Sequence, residues 1–152
     1  MIERQLVSGG TYSAGQLAHR CYELAAAAYP NGAPWRLATF MADIEAPQTH
    51  YDLLVVGEQP VGFVSWSTVL DETEITNVAI HPDAQRQGHA QWLLMAVLAS
   101  LDKNSRVFLE VRASNVVARR LYGRCGFEQI STRKAYYQHP TEDALIMRKR
   151  IK

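Results

Sequence analysis

A strand-like run, a glycine-bearing turn and a long apolar helix follow one another between residues 75 and 101. Ile75-Thr76-Asn77-Val78-Ala79-Ile80 has the β-branched character of a strand, and His81-Pro82-Asp83 ends it. Gln85-Arg86-Gln87-Gly88-His89-Ala90 comes next. Leu93, Leu94, Val97, Leu98 and Leu101 then recur at helical spacing. Gly88 and the small Ala90 at the mouth of that helix let a ligand come close to the backbone. The unpaired N–H groups of a helix start, together with its dipole, suit a phosphate. The sequence therefore proposes an anion cradle between a strand and a helix.

The remaining chain supplies the layers that such a helix must pack against. A short first strand is expected near residues 2–8. Ser13 and Gln16 form a capping-box pattern ahead of a helix through Leu17, Cys21, Leu24 and Ala28. Pro30-Asn31-Gly32-Ala33-Pro34 breaks it, and a second short helix is expected from Trp35 to about Ile44, closed by Pro47. Leu53-Leu54-Val55-Val56 reads as a buried strand, and Gly57-Glu58-Gln59-Pro60 turns it into Val61–Trp66. A third strand runs from about Glu72 to Ile80, before the cradle. Val107–Val111 is the next strand, and Asn115 to Cys125 is a helix ended by Gly126. Two closing strands are expected at roughly 127–136 and 143–150. The order predicts an α/β (α+β) fold with a mixed sheet, the cradle helix crossing between two neighbouring strands.

Composition narrows the classes. A chain of 152 residues is long enough for a real core and is expected to form one domain over 1–152. The formal net charge of +1 argues against broad binding to nucleic acid or to an acidic membrane. Arg148, Lys149, Arg150 and Lys152 read as a solvated strand end. No stretch is long and apolar enough to span a bilayer, and the N-terminus has no apolar signal core. Cys21 and Cys125 lie far apart without C-x-x-C spacing. Free thiols in a reducing cytoplasm fit that usage, with a single disulfide left open. The five histidines show no metal-ligand spacing, so no metal is expected.

Two further segments carry chemistry. Leu109-Glu110-Val111-Arg112-Ala113-Ser114-Asn115 is a strand ending in a polar turn, and Arg120-Leu121-Tyr122-Gly123-Arg124-Cys125-Gly126-Phe127 is a helix finishing in glycine. With the Q-x-x-G-x-A spacing from Gln85 to Ala90, these segments resemble the GNAT superfamily of acyl-CoA-dependent N-acetyltransferases. Within it they look like the RimI branch, the ribosomal-protein-alanine N-acetyltransferases. The similarity is strong from about Asp71 to Arg133 and weaker to the C-terminus. Three motifs in order and in suitable secondary structure are far more specific than one.

The resemblance implies the GNAT fold: a central, mostly antiparallel sheet of about six to seven strands flanked by about four helices. It implies acetyl-CoA as cosubstrate, with Val78, Ala79 and Ile80 presenting backbone groups to the pantetheine arm. Arg86, Gln87, Gly88, His89, Ala90 and Gln91 would wrap the pyrophosphate, and Asn115 would bond the pantetheine. Glu110 would be the general base and Tyr122 the general acid. Trp35, Tyr136 and Tyr137 would contact the acceptor. The implied acceptor is a protein N-terminus, that of small-subunit ribosomal protein number eighteen, with its alanine first. A monomer or weak dimer with no nucleic-acid partner and no membrane partner is expected.

The residue types suit that chemistry. An α-amine with a pKa of about 7.7–8.0 is roughly a tenth neutral at pH 7, whereas a lysine at about 10.4 is under a thousandth neutral. A carboxylate, directly or through water, can therefore serve an N-terminal amine without extreme tuning. A phenol stays protonated and can donate to a departing thiolate. Direct attack needs no enzyme nucleophile, which leaves Cys125 as a small core residue. His89-Ala90 stands where the superfamily commonly has an apolar residue and glycine, and this places an imidazole near the phosphate. Asn115 can also be read as a helix N-cap. The Pro30–Pro34 segment is longer than usual for the branch and bears on acceptor choice. Three other readings compete: acetylation of a lysine or small amine, a non-catalytic acyl-CoA-binding module, and a Rossmann-type dinucleotide enzyme, for which G-x-G-x-x-G and a first strand in the correct place are missing.

Overall fold

The computed structural model describes residues 3–152. Strand β1 (Arg4–Ser8) leads to helices α1 (Ala14–Ala28) and α2 (Leu37–Glu45). Strands β2 (Thr49–Val56), β3 (Gln59–Val69) and β4 (Glu72–Ile80) precede helix α3 (His89–Ser100). Strand β5 (Arg106–Arg112), helix α4 (Val116–Arg124) and strands β6 (Glu128–Tyr137) and β7 (Glu142–Arg150) complete the chain. The seven strands form one sheet in the order β1-β2-β3-β4-β5-β7-β6. Every neighbouring pair is antiparallel except β4–β5. This is the mixed α/β fold that the element order predicts. The expected first strand begins at Arg4, and residue 2 lies outside the described residues.

Local chemistry sets the boundaries. The Ser13 hydroxyl accepts from the Gln16 N–H, and the Gln16 side chain accepts from the Ser13 N–H, each at 3.2 Å. That reciprocal box starts α1. Helix α2 starts two residues later than expected, because Trp35 and Arg36 stay outside it and Arg36 offers no side-chain cap. Strands β2 and β3 are longer than their apolar runs. Gly57 (φ 57°) and Glu58 (φ 69°) are both left-handed, so a tight two-residue turn joins them and Gln59 and Pro60 pair as strand.

Both faces of the sheet are covered, and neighbouring residues serve opposite sides. Leu54, Val64 and Ile80 pack beneath Leu93, Leu94, Val97 and Leu98 of α3. Their neighbours Leu53, Phe63 and Ala79 pack against Leu17, Cys21 and Leu24 of α1 and Phe40 of α2. Two-sided burial explains why β2 reads as a continuous apolar run. Leu94 is fully buried, so truncation to alanine would cost about 2–5 kcal/mol. Cys21 and Cys125 are both free and buried.

The parallel pair positions the site. Register between β4 and β5 covers only Glu72–Glu74 against Arg106–Phe108. Both strands continue past that point, β4 to Ile80 and β5 to Arg112, without pairing. A bulge explains the divergence. Ser65 pairs with Asn77 and Trp66 with Ile75, leaving Thr76 as the extra residue on β4. Bulges bend and twist their strand. The sheet therefore splits into a V-shaped cleft with backbone groups on its inner edges.

Candidate active site

Backbone accounting shows what β4 offers the cleft. The His81 N–H donates to the Val61 carbonyl on β3 at 2.7 Å. Alternation sends the backbone groups of Ala79 to β3 as well, and turns those of Val78 and Ile80 into the cleft. Of the three residues expected to meet the pantetheine arm, Ala79 is thus corrected: its polar backbone is spent on the sheet, and its side chain lies in the α1 core. Val78 donates its N–H to the Tyr29 hydroxyl at 3.1 Å, and the Ile80 carbonyl accepts from Gln85 Nε2 at 2.9 Å. Gln85 and Tyr29 therefore act at this edge, and no sequence motif flags Tyr29.

The cradle follows β4 through a short 3-10 turn, Pro82–Ala84. Arg86 (φ 63°) and Gly88 (φ 78°) are both left-handed, which coils the 85–89 stretch tightly into α3. Gly88 is the N-cap of α3 and supplies no side-chain bond, so the first-turn N–H groups of His89, Ala90 and Gln91 have no cap. A Cβ built on Gly88 would meet no atom within 4 Å. That space faces uncapped donors at the positive end of a helix dipole, and an anion fits it. The expected imidazole beside the phosphate is a correction. His89 is only 6% exposed, and its Nδ1 lies 3.3 Å from Arg4 Nη1. Burial and the Arg4 charge lower its pKa. Only its backbone is left to serve the cradle.

Across the cleft, β5 alternates Val107, Leu109 and Val111 into the core with Phe108, Glu110 and Arg112 on the α1/α2 face. Glu110 therefore points to the α1/α2 side of the sheet, into a hollow of about 310 Å³ that also meets Glu74, Phe108, Arg133 and Ile146. Arg133 Nη1 lies 3.4 Å from Glu110 Oε1. A hydrogen bond to Glu110 is the main cause of the raised pKa of Tyr136. Tyr136 packs edge-on against Tyr137 with ring centroids 5.2 Å apart, and Arg112 caps the Tyr137 ring at 4.4 Å. The aromatic pair expected at the acceptor is thus beside the expected base.

Tyr122 sits on α4 with its ring edge-on to Phe127. Burial raises its pKa, and the Tyr29 and Tyr137 hydroxyls raise it further. Those three phenols thus share one neighbourhood. Asn115 caps α4: its Oδ1 accepts from the Ala118 N–H at 3.1 Å. The rest of its amide remains for a ligand. Trp35 does not stand open to a substrate, since it is half-buried and packs on Phe40 at 5.1 Å. Two prolines and a glycine in sequence could not reveal that the ring folds back under α2. Among the described residues, no cluster of His, Cys, Asp and Glu is arranged for a metal ion.

A split parallel pair, an uncapped helix start at its mouth, and a carboxylate and phenol near its far edge define an acyl-transfer cleft of one class. The profile of the acetyltransferase (GNAT) family matches residues 16–127, and the chain belongs to that family. The relatives point to a branch. The [ribosomal protein bS18]-alanine N-acetyltransferase of Haemophilus ducreyi is 38% identical over 136 residues, covering 85% of this chain and 90% of the relative. The N-alpha-acetyltransferase RimI of Mycobacterium tuberculosis is 32% identical over 136 residues, covering 87% and 85%. The crystal structure of the ribosomal-protein-S18-alanine N-acetyltransferase from Escherichia coli superposes with a TM-score of 0.84 at 30% identity, over 96% of this chain and 92% of that one.

Proposed function

We propose that this enzyme transfers the acetyl group of acetyl-CoA to the N-terminal alanine of ribosomal protein bS18, by direct attack in a ternary complex. The observation that carries this reading is the cleft itself, with cradle donors at one end and Glu110 opening onto the acceptor face at the other. The activities of the Haemophilus ducreyi and Escherichia coli relatives supply the acceptor.

In this reading the diphosphate of acetyl-CoA rests on the N–H groups of residues 87–91, and the pantetheine amides pair with β4 as an added strand. The Val78 N–H then polarises the thioester carbonyl, a donor fixed in advance by the sheet. Glu110 takes a proton from the α-ammonium, leaving a neutral amine to attack. The tetrahedral nitrogen loses its second proton as the carbon–sulfur bond breaks, and the thiolate leaves. Tyr122, expected as the general acid, donates in this reading a hydrogen bond to that sulfur and keeps its proton. Its raised pKa makes the phenol a poor proton source but a dependable donor that never ionises near neutral pH. The sulfur's proton then comes from the attacking nitrogen by way of solvent. Cys125 is buried, which raises its pKa, and takes no part.

The test uses the purified chain, labelled acetyl-CoA and a peptide carrying the first residues of bS18. Mass spectrometry is expected to place one acetyl group on the alanine α-nitrogen. The same peptide with a blocked N-terminus and an internal lysine is expected to stay unmodified. Preferential labelling of the lysine would defeat the proposed acceptor.

A further inference from the structure

One contact at the cleft is not explained by holding the fold together. The Val78 N–H, the donor assigned above to the thioester carbonyl, is already bonded to the Tyr29 hydroxyl at 3.1 Å. An N–H has a single hydrogen, and two oxygens cannot both lie on its axis at bonding distance. The phenol oxygen therefore stands where the acyl oxygen must come to rest. Its other bond, to Asn77 Oδ1 at 3.4 Å, is long, so the Val78 N–H is its principal anchor.

Tyr29 is also the first residue beyond α1. Its own N–H closes the helix on the Ala25 carbonyl at 3.0 Å, and its carbonyl accepts from Gly32 at 3.1 Å. The phenol is thus joined to the head of the 30–36 segment, which covers the α1/α2 face, the same face that presents Glu110. Burial pushes the Tyr29 pKa up to about 12, so the occupant of the N–H is a neutral oxygen, as a thioester carbonyl is.

We propose that Tyr29 is a positioning residue whose hydroxyl keeps the acyl-oxygen site on the Val78 N–H until the thioester carbonyl displaces it. This rests on the reading that acetyl-CoA fills the β4–β5 cleft. No bond forms or breaks in the step beyond the exchange of one hydrogen-bond acceptor for another. Holding the N–H with a phenol also keeps water off a donor that must be dry when the acyl group arrives.

The distinguishing feature is that only the acylated ligand competes with Tyr29. Free coenzyme A has no carbonyl to place on the Val78 N–H. Calorimetric titration of the full chain with acetyl-CoA and with coenzyme A, for the wild type and Tyr29→Phe, tests this directly. The variant is expected to bind acetyl-CoA about fivefold tighter, the net worth of one hydrogen bond no longer displaced. Its affinity for coenzyme A is expected to be unchanged. An equal shift for both ligands would show that the ring merely packs, and would overturn the proposal. So would lower turnover at unchanged acetyl-CoA affinity, which would make the phenol a donor in the reaction. If the wild type bound neither ligand, the cleft assignment itself would fall, a result separable from the others.

Discussion

On the α3 side of the cleft the chemistry is carried by backbone: two cleft-facing residues of β4, left-handed Arg86 and Gly88, and an uncapped helix start. On the α1/α2 side it is carried by side chains from three separate stretches, namely Tyr29 after α1, Glu110 on β5, and Arg133 with the Tyr136–Tyr137 pair on β6. The first region lies within one run of the chain. The second exists only after the sheet has brought β5 beside β7 and β7 beside β6. A ligand bound by backbone is recognised by its shape and its phosphates, whatever the side chains are. An acceptor bound by side chains is chosen by them. The two sides therefore respond differently to substitution, and that difference can be measured.

The largest effect is expected from Gly88→Trp. The position needs φ near 78°, and the space beyond a Cβ is where the diphosphate rests in the proposed complex. Acetyl-CoA binding is expected to disappear from calorimetry, while the thermal midpoint falls by only the few degrees set by the left-handed backbone cost of about 1–2 kcal/mol, since no protein atom is struck. Retained binding at wild-type affinity would break the assignment of the cradle. Glu110→Gln comes next and probes the opposite side. Turnover is expected to fall by about 10²–10⁴-fold, the usual contribution of a positioned base, with acetyl-CoA affinity unaltered. Steady-state rates with the bS18 peptide decide it, and unchanged turnover would remove Glu110 from the base role.

That asymmetry also explains what could be read in advance. Ile75–Leu101 was legible because its strand, glycine turn and apolar stripe are contiguous and each has its own residue signature. The α4 segment and its Gly126 terminus were legible for the same reason. Glu110 was marked only by a motif of local neighbours, and its partners Arg133 and Tyr136 come from a strand separated from β5 by β7. Tyr29 was missed because its bonding partner, Val78, is 49 residues away, and a tyrosine at a helix end has no distinctive signature. Spacing gives Ala79 and His89 outward roles because it does not say which neighbour takes a strand's N–H or where an imidazole turns. Burial against α1 decides the first, and the 3.3 Å contact with Arg4 decides the second.

Tyr122→Phe refines the side-chain half. It is expected to lower turnover about 10–100-fold, the worth of one hydrogen bond to a charged group, while the acetyl-CoA KM changes little, because the lost bond is made chiefly to the developing thiolate. Equal losses in affinity and turnover would assign the ring to packing against Phe127 instead.

The smallest effect separates the two regions by titration. Tyr29 and Tyr137 both have pKa values raised to about 12, mainly by burial, against about 10 for an unfolded tyrosine. The folded chain therefore holds these protons more tightly than the unfolded one. Their contribution is fully present below pH 10 and is lost as pH rises from about 10 to about 12. The cradle, made of backbone N–H groups, has no such term. Urea unfolding at fixed pH steps across that window, with tyrosinate absorbance followed in parallel, is expected to show stability falling. Tyr137→Phe is expected to fall less steeply, by up to about one proton per molecule. The difference between the two slopes isolates the phenol from lysines and thiols that titrate in the same range. Identical slopes would mean that the Tyr137 hydroxyl is as well solvated in the folded chain as in the unfolded one, and that burial does not hold its proton.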